Sequence, residues 1–193
     1  TELLRREETL TDFQEEMLDK IETEVDRLKT LTGGLLSFSS NRSVLNRVVN
    51  LNDLIAEVLK LLRFELQRKS IRLETRFSEV PVITADPNKL KQVVINLVMN
   101  AVHALRGEGS VVLATGINPK GNLELLVKDD GPGMSAELQE QVFAPFFTTK
   151  PEGEGTGLGL YICQNIIREH GGTISLESQP GAGTAFRICL PVE

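Results

Sequence analysis

From about Leu10 to Phe38, apolar residues recur three or four apart: Phe13, Met17, Ile21, Val25, Leu28, Leu31, Leu35 and Phe38, with Glu, Asp, Lys and Arg between them. This spacing predicts an amphipathic helix with one narrow apolar stripe, the pattern of a bundle or coiled-coil partner. Such a helix needs something to pack on. Thr32-Gly33-Gly34 weakens it, since each glycine costs about 1 kcal/mol against alanine. The first nine residues read as the end of a preceding helix, with Thr9 to Thr11 as the turn. The pattern then breaks at Ser37 to Asn46, which is rich in Ser and Asn. Residues 41–50 are therefore read as a linker between a helical region, 1–40, and a mixed domain, 51–193.

In the mixed domain the period changes from segment to segment. Asn52-Asp53 is placed to cap a helix running to about Lys69, and Ile71 to Phe77 alternates as a strand does. Asp86-Pro87 starts a further helix, proline suiting a first turn. The order continues with strands at Ser110–Ile117 and Leu123–Asp129, a glycine-rich loop, a short helix at Ala136–Phe143 and a long loop. A helix at Leu158–Glu169 and strands at Thr173–Ser178 and Thr184–Leu190 follow, the last two joined by a turn at Pro180-Gly-Ala-Gly183. Adjacent antiparallel strands among helices predict an α+β fold, a mixed sheet covered by helices on one face.

Composition narrows the classes. Over 193 residues, 40% are hydrophobic and 25% charged, which is ordinary for a globular protein. No run of eighteen apolar residues occurs, and the N-terminus has no apolar signal core, so a cytoplasmic chain without membrane contact is expected. A net charge of -6 disfavours a nucleic-acid surface, which needs a basic face. Cys163 and Cys189 lie in apolar surroundings and read as small buried thiols rather than a disulfide.

The helix from Asp86 to Leu105 has two faces that differ in kind. Leu90, Val93, Val94, Leu97, Val98 and Ala101 form a broad apolar stripe. At about 100° per residue, Gln92, Asn96, Asn100 and His103 fall within an arc of about 80° on the opposite side. That arc is almost uncharged, whereas a face serving solvent alone more often carries Lys and Glu, which are better helix formers. Carboxamide oxygens can ligate a hard cation while their N–H groups meet phosphate oxygens. Polar side chains satisfying nearby loops would leave the same pattern.

Two glycine-rich stretches follow. The apolar strand Leu125 to Lys128 runs into Asp129, after which Gly131 and Gly133 let the backbone turn sharply and approach a planar ligand. A shielded carboxylate there can accept a hydrogen bond from an exocyclic amine such as adenine N6, although Asp-Asp-Gly-Pro-Gly also suits an ordinary turn. Gly153-Glu-Gly-Thr-Gly-Leu-Gly-Leu160 opens the next helix, leaving backbone N–H groups for phosphate oxygens in the favourable field of the helix dipole. A ligand-free hinge is the alternative. Neither stretch completes Gly-x4-Gly-Lys-Ser/Thr or Gly-x-Gly-x-x-Gly. Between them, Phe143-Ala-Pro-Phe-Phe-Thr-Thr-Lys150 and Pro151-Glu-Gly-Glu read as a lid, apolar enough to pack and hinged enough to move. Lys150 then reaches a terminal phosphate, or else water.

Together these residues closely resemble the catalytic, ATP-binding domain of two-component sensor histidine kinases. Asn96-Leu-Val-Met-Asn100-Ala is similar to the family's N box, Asp129-x-Gly-x-Gly133 to its G1 box, Phe143–Phe147 to its F box and Gly155-Thr-Gly-Leu-Gly159-Leu to its G2 box, in family order. Phe-Phe-Thr-Thr-Lys and Asn-Ala-Val-His-Ala-Leu most resemble the nitrogen-regulation subgroup. The resemblance implies a Bergerat-type two-layer α/β sandwich, with ATP and Mg2+ as its ligands. It also implies roles: Asn96 coordinates Mg2+ and Asn100 contacts the phosphates, these two being catalytic, while Asp129 holds the adenine amine in a pocket shaped by Gly131 and Gly133. Gly155, Thr156, Gly157, Leu158, Gly159 and Leu160 would close over the phosphates beside a lid at residues 149–154, with Phe147, Thr149 and Lys150 in the ATP-binding set. His103 stands where many members have lysine and is read as a phosphate contact, burial or capping being the other reading. His170, in Glu-His-Gly-Gly, ends a helix and is expected to do no chemistry.

Residues 10–40, with Glu24-Val-Asp-Arg-Leu and Leu35-Leu-Ser-Phe-Ser, resemble the second helix of the family's dimerisation and phosphotransfer hairpin. The family's acceptor histidine, followed by Glu or Asp and then Pro, belongs on the first helix; no such motif occurs here, which in that reading puts it upstream of Thr1. The activity implied is transfer of the γ-phosphoryl group to that histidine and onward to a response-regulator aspartate, in a homodimer formed through the N-terminal helix. Two other classes stay open. One is a degenerate kinase acting as an ATP-regulated interaction module. The other is an ATPase of the gyrase, heat-shock chaperone or mismatch-repair branch, against which the place just ahead of Asn96 offers Gln92 and no glutamate base.

Overall fold

A computed structural model of the chain describes residues 11, 13–15, 17, 18, 21, 46–105, 107–151 and 155–192. They fall into two compact units, one drawn from residues 43–147 and 157–193 and the other from residues 1–42 and 148–156. The larger unit runs β1 (Arg47–Val49), α1 (Leu51–Arg68), β2 (Ile71–Phe77), β3 (Ile83–Ala85), α2 (Pro87–Ala104), β4 (Gly109–Ile117), β5 (Leu123–Asp129), α3 (Ala136–Gln141), α4 (Gly159–Glu169), β6 (Thr173–Ser178) and β7 (Thr184–Leu190).

Five strands form one mixed sheet in the order β2-β4-β5-β7-β6, with β2 parallel to β4 and the other neighbours antiparallel. Side chains alternate across a strand, and the buried set follows that period: Val111, Leu113 and Thr115 on β4, Leu123, Leu125, Val127 and Asp129 on β5, Phe186, Ile188 and Leu190 on β7. The residues between them are half-buried or exposed, so one face of the sheet carries the helices. On α2 the predicted stripe is buried throughout and joins the same core. The architecture is the α+β two-layer sandwich that the resemblance implied.

The helix starts are set by side-chain caps. Asp86 Oδ1 accepts from the N–H groups of Asn88 and Lys89, with Pro87 in the first turn, as the sequence predicts. For α1 the expectation needs correcting: the cap is Asn50, whose Oδ1 accepts from Asn52 N–H at 2.9 Å and Asp53 N–H at 3.3 Å. Asn52 lies inside the helix because its carboxamide is engaged elsewhere, donating to Ser78 O at 2.8 Å and accepting from Thr115 Oγ1 at 2.6 Å. Asn50→Ala should cost about 1 kcal/mol and lower the thermal midpoint by roughly 2–4 °C, as followed by circular dichroism.

Other differences are small. Arg47–Val49, within the range read as linker, pairs antiparallel with Ile83–Ala85 as a second, two-stranded sheet. Helix α3 stops at Gln141, two residues short of the expected end, and α4 begins one residue late at Gly159. Both cysteines are free, as expected, but only Cys163 is fully buried. Cys189 is half-buried because it occupies an alternate position on β7, off the helix-covered face.

In the smaller unit, Phe13–Glu15, Met17, Leu18 and Ile21 are helical, and apart from Thr11 the remainder of the helix read from Leu10 to Phe38 lies outside the described residues. Thr11 Oγ1 accepts from Gln14 N–H at 3.4 Å while Gln14 Oε1 accepts from Thr11 N–H at 2.9 Å, a reciprocal capping box. Phe13 and Ile21, two residues of the stripe, are exposed.

Candidate functional site

The site begins with Asp129. Strand alternation carries it onto the same face as Leu125 and Val127, and the residue is 4% exposed. Gly131 N–H donates to Oδ1 at 2.9 Å, and the backbone of Thr184 supplies a second hydrogen bond. Burial nevertheless dominates and raises its pKa above the ordinary aspartate value, against the backbone donors that lower it. A buried carboxylate at a strand end, with donors on one side, is built to take another donor on the other.

Its neighbour is differently employed. Asp130 is exposed and accepts from Ser110 N–H at 2.7 Å and Ser110 Oγ–H at 2.6 Å, which together hold its pKa below the usual value. It therefore clamps the start of β4. Asp130→Ala should cost about 1 kcal/mol and leave nucleotide affinity unchanged within a few-fold. Because the folded-state pKa is depressed, this stabilisation is present at neutral pH and is lost as pH falls through the acid range, which pH-dependent melting of the pair of proteins would show.

The loop after β5 is shaped by close approach. At Gly133, φ is +67° and a Cβ would stand 1.9 Å from Gln179 O, so only glycine fits. A Cβ on Gly131 would meet Asp129 Oδ1 at 2.8 Å and the end of α2 at Ala104 and Leu105. The loop is tied to the β6–β7 hairpin, since Met134 N–H donates to Ser178 Oγ at 2.8 Å and Ser178 Oγ–H donates to Gly183 O at 2.8 Å.

On α2, Asn96 and Asn100 are half-buried and His103 is exposed, following one another along the uncharged face. Asn96 Nδ2–H donates to Gly159 O at 3.3 Å and also reaches the buried Cys163 thiol, whose pKa burial pushes up to about 12. With Nδ2 turned to α4, the Asn96 carbonyl oxygen is presented away from that helix. The N-cap residue of α4, Leu158, makes no side-chain cap, and the first turn of the helix carries no acidic residue. Just before it, Gly157 has φ +65° and lies against the Phe146 backbone, where a Cβ would stand 2.3 Å from the carbonyl carbon. Leu158 is buried and Leu160 packs partly on the core. Phe147 is half-buried, and Phe143 meets Phe186 edge-on at 6.3 Å.

The structure thus brings Asn96 to Gly159, Asp129 to Gly131, and Gly157 to the F-box backbone. Thr149, Lys150, Gly155 and Thr156 belong to the smaller unit, where Lys150 N–H donates to Thr148 Oγ1 at 3.1 Å and a Cβ on Gly155 would lie 2.6 Å from that same oxygen. Of the predicted lid, residues 152–154 lie outside the described residues. Ser110, Ser178, Gly183 and Thr184 were not foreseen. The Gly181-x-Gly183-Thr184 run was read only as a hairpin turn, although two close-spaced glycines ahead of a strand also signal a backbone that must pass near another.

Residues 85–193 match the family described as histidine kinase-, DNA gyrase B-, and HSP90-like ATPase, more than half of the chain. The chain belongs to this ATPase family. It is 41% identical to the sensor histidine kinase ZraS of Klebsiella oxytoca over 172 residues, covering 88% of this chain and 36% of ZraS. The chain thus spans little more than a third of that relative. The nucleotide-free catalytic domain of histidine kinase ThkA superposes with a TM-score of 0.68 at 36% identity, covering 76% of this chain and 95% of that one. ThkA in complex with the response regulator TrrA gives 0.78 at 31%, covering 99% and 55%. Full-length ShkA in complex with AMPPNP gives 0.80 at 26%, covering 95% and 40%. Within the ATPase family, the domain is therefore of the histidine kinase catalytic type.

Proposed function

We propose that this ATPase-family domain binds Mg-ATP and, in the protein to which it belongs, transfers the γ-phosphoryl group to a histidine on a dimerisation hairpin, from which it passes to a response-regulator aspartate. The observation that carries this is the bond from Asn96 Nδ2–H to Gly159 O, which holds the Asn96 side chain at the start of α4 and leaves its carbonyl oxygen for a cation. Asp129 would accept from adenine N6–H, and Gly131 and Gly133 would leave room for the ring. The backbone at the start of α4 would meet phosphate oxygens, joined by Asn100 and His103 along α2.

The donor set fits Mg2+. Among the described residues, no three His, Cys, Asp or Glu side chains converge as a metal cage. What bears on Mg2+ is the neutral oxygen of Asn96, because Mg2+ keeps waters and takes substrate phosphates with one or two protein oxygens. Asn96 Oδ1 would hold it, and the cation would neutralise charge on the β- and γ-phosphates during transfer. Phosphoryl transfer needs mainly positioning from the chain itself, which rigid elements α2, β5 and α4 provide. The exposed Phe13 and Ile21 support the reading of the N-terminal helix as a dimer element. Supplying a separate hairpin that carries an acceptor histidine, with γ-labelled ATP, should give acid-labile phosphate on the hairpin. Steady hydrolysis with no protein-bound label would instead indicate a plain ATPase.

A further inference from the structure

His170 joins the ends of the two helices that form the phosphate end of the site. Asp86 N–H donates to His170 Nε2 at 3.0 Å, and His170 Nδ1 lies 2.7 Å from Ile166 O. A backbone N–H can only donate, so Nε2 is the acceptor. The single ring proton is then on Nδ1, where Ile166 O receives it. Both ring nitrogens are used, one within α4 and one across to the cap residue of α2.

This tie has a counterpart at the other end of the helix pair. There Asn96 Nδ2–H donates to Gly159 O. At about 1.5 Å per residue, Asp86 and Asn96 are roughly 15 Å apart along α2, and Gly159 and His170 roughly 16 Å apart along α4. The helices run antiparallel with directional ties at matched spacing. Between them the seam is largely core, with Val93 and Leu97 on α2 and Ile166 and Ile167 on α4. The apolar contacts are non-directional, and the one polar contact printed within the seam, Cys163 Sγ–H to Val93 O at 3.9 Å, is a long, weak thiol bond, so the directional ties at the two ends specify which residues of the helices face each other. Lys89 and Glu169 also pair beside His170 at 2.6 Å, but they are 30% and 55% exposed, and a pair of that kind holds weakly.

We infer that His170 is a positioning residue for the nucleotide site: its bridge to Asp86 N–H sets the lengthwise register of α4 on α2, and so the placement of Asn96 against the helix start that takes phosphate. The inference rests on the Mg-ATP reading above. It separates the site into two parts, because the adenine pocket at Asp129 is built on β5 and does not depend on this register.

The test uses His170→Phe, which keeps a ring but has no acceptor, and His170→Gln, which restores an acceptor near the Nε2 position. Calorimetric affinities for adenosine diphosphate without metal, and for a non-hydrolysable ATP analogue with and without Mg2+, are compared with the unsubstituted chain. His170→Phe should keep metal-free affinity within about twofold while the Mg2+-dependent gain falls about tenfold, the worth of one hydrogen bond, and His170→Gln should recover most of it. An unchanged Mg2+-dependent gain in His170→Phe would overturn the inference. So would parallel losses of metal-free and metal-dependent affinity in both variants, the mark of a general loss of folding. Absence of any Mg2+-dependent gain in the unsubstituted chain would overturn the Mg-ATP reading itself.

Discussion

Asp129→Asn should weaken nucleotide binding by at least roughly 10³-fold while leaving the fold intact. The reason lies in which oxygen is already used. Gly131 N–H donates to Oδ1, so an asparagine at this position keeps its own oxygen there and turns its Nδ2 amide toward the ligand. A donor then faces the adenine amine, also a donor, in a buried place where neither finds water. Stability should move the other way. Burial raises the folded-state pKa of this carboxyl, so ionisation costs the folded state stability. That cost is absent below the ordinary aspartate range and is full once pH exceeds the raised value. The asparagine variant removes it, and its thermal midpoint at neutral pH should equal or exceed that of the unsubstituted chain. Retained Mg-ATP affinity in a calorimetric titration would show that adenine is held elsewhere.

Asn96→Ala should separate binding from chemistry. Removing one positioned oxygen ligand should slow phosphoryl transfer to a supplied acceptor hairpin by about 10²- to 10³-fold. Metal-free nucleotide affinity should stay within a few-fold, since the adenine pocket lies on β5. Gly159 O also loses its Asn96 donor, which costs about 1 kcal/mol of stability. A transfer rate near that of the unsubstituted chain would remove Asn96 from the metal site.

Long strands and helices were legible because their periods repeat. Ile71–Phe77, Leu123–Asp129, Thr173–Ser178 and Thr184–Leu190 were placed to the residue by alternation and flanking turns. Arg47–Val49 was not, because three residues are too few to show a period, and a Ser- and Asn-rich neighbour made it look like linker. The first helix was capped at least two residues late because Asn50, Asn52 and Asp53 can all cap, and only tertiary partners at Ser78 and Thr115 decide which does.

The site divides in the same way. Asp129 was legible as a strand-end carboxylate because alternation fixes its face, and the two glycines after it advertise a tight backbone. The distinct duties of Asp129 and Asp130 were not, since nothing local to Asp-Asp says that Ser110, twenty residues earlier, occupies the second carboxylate. His170 was passed over for a similar reason: its partner is a backbone N–H eighty-four residues away, and such a donor leaves no mark in the sequence.

The measurement that bears most directly on the Mg-ATP reading is a crystal structure with a non-hydrolysable ATP analogue and Mg2+. Adenine N6 should lie about 3 Å from the Asp129 carboxylate and the metal about 2.1 Å from Asn96 Oδ1. An adenine ring bound away from Asp129, or a metal that does not touch Asn96, would contradict it.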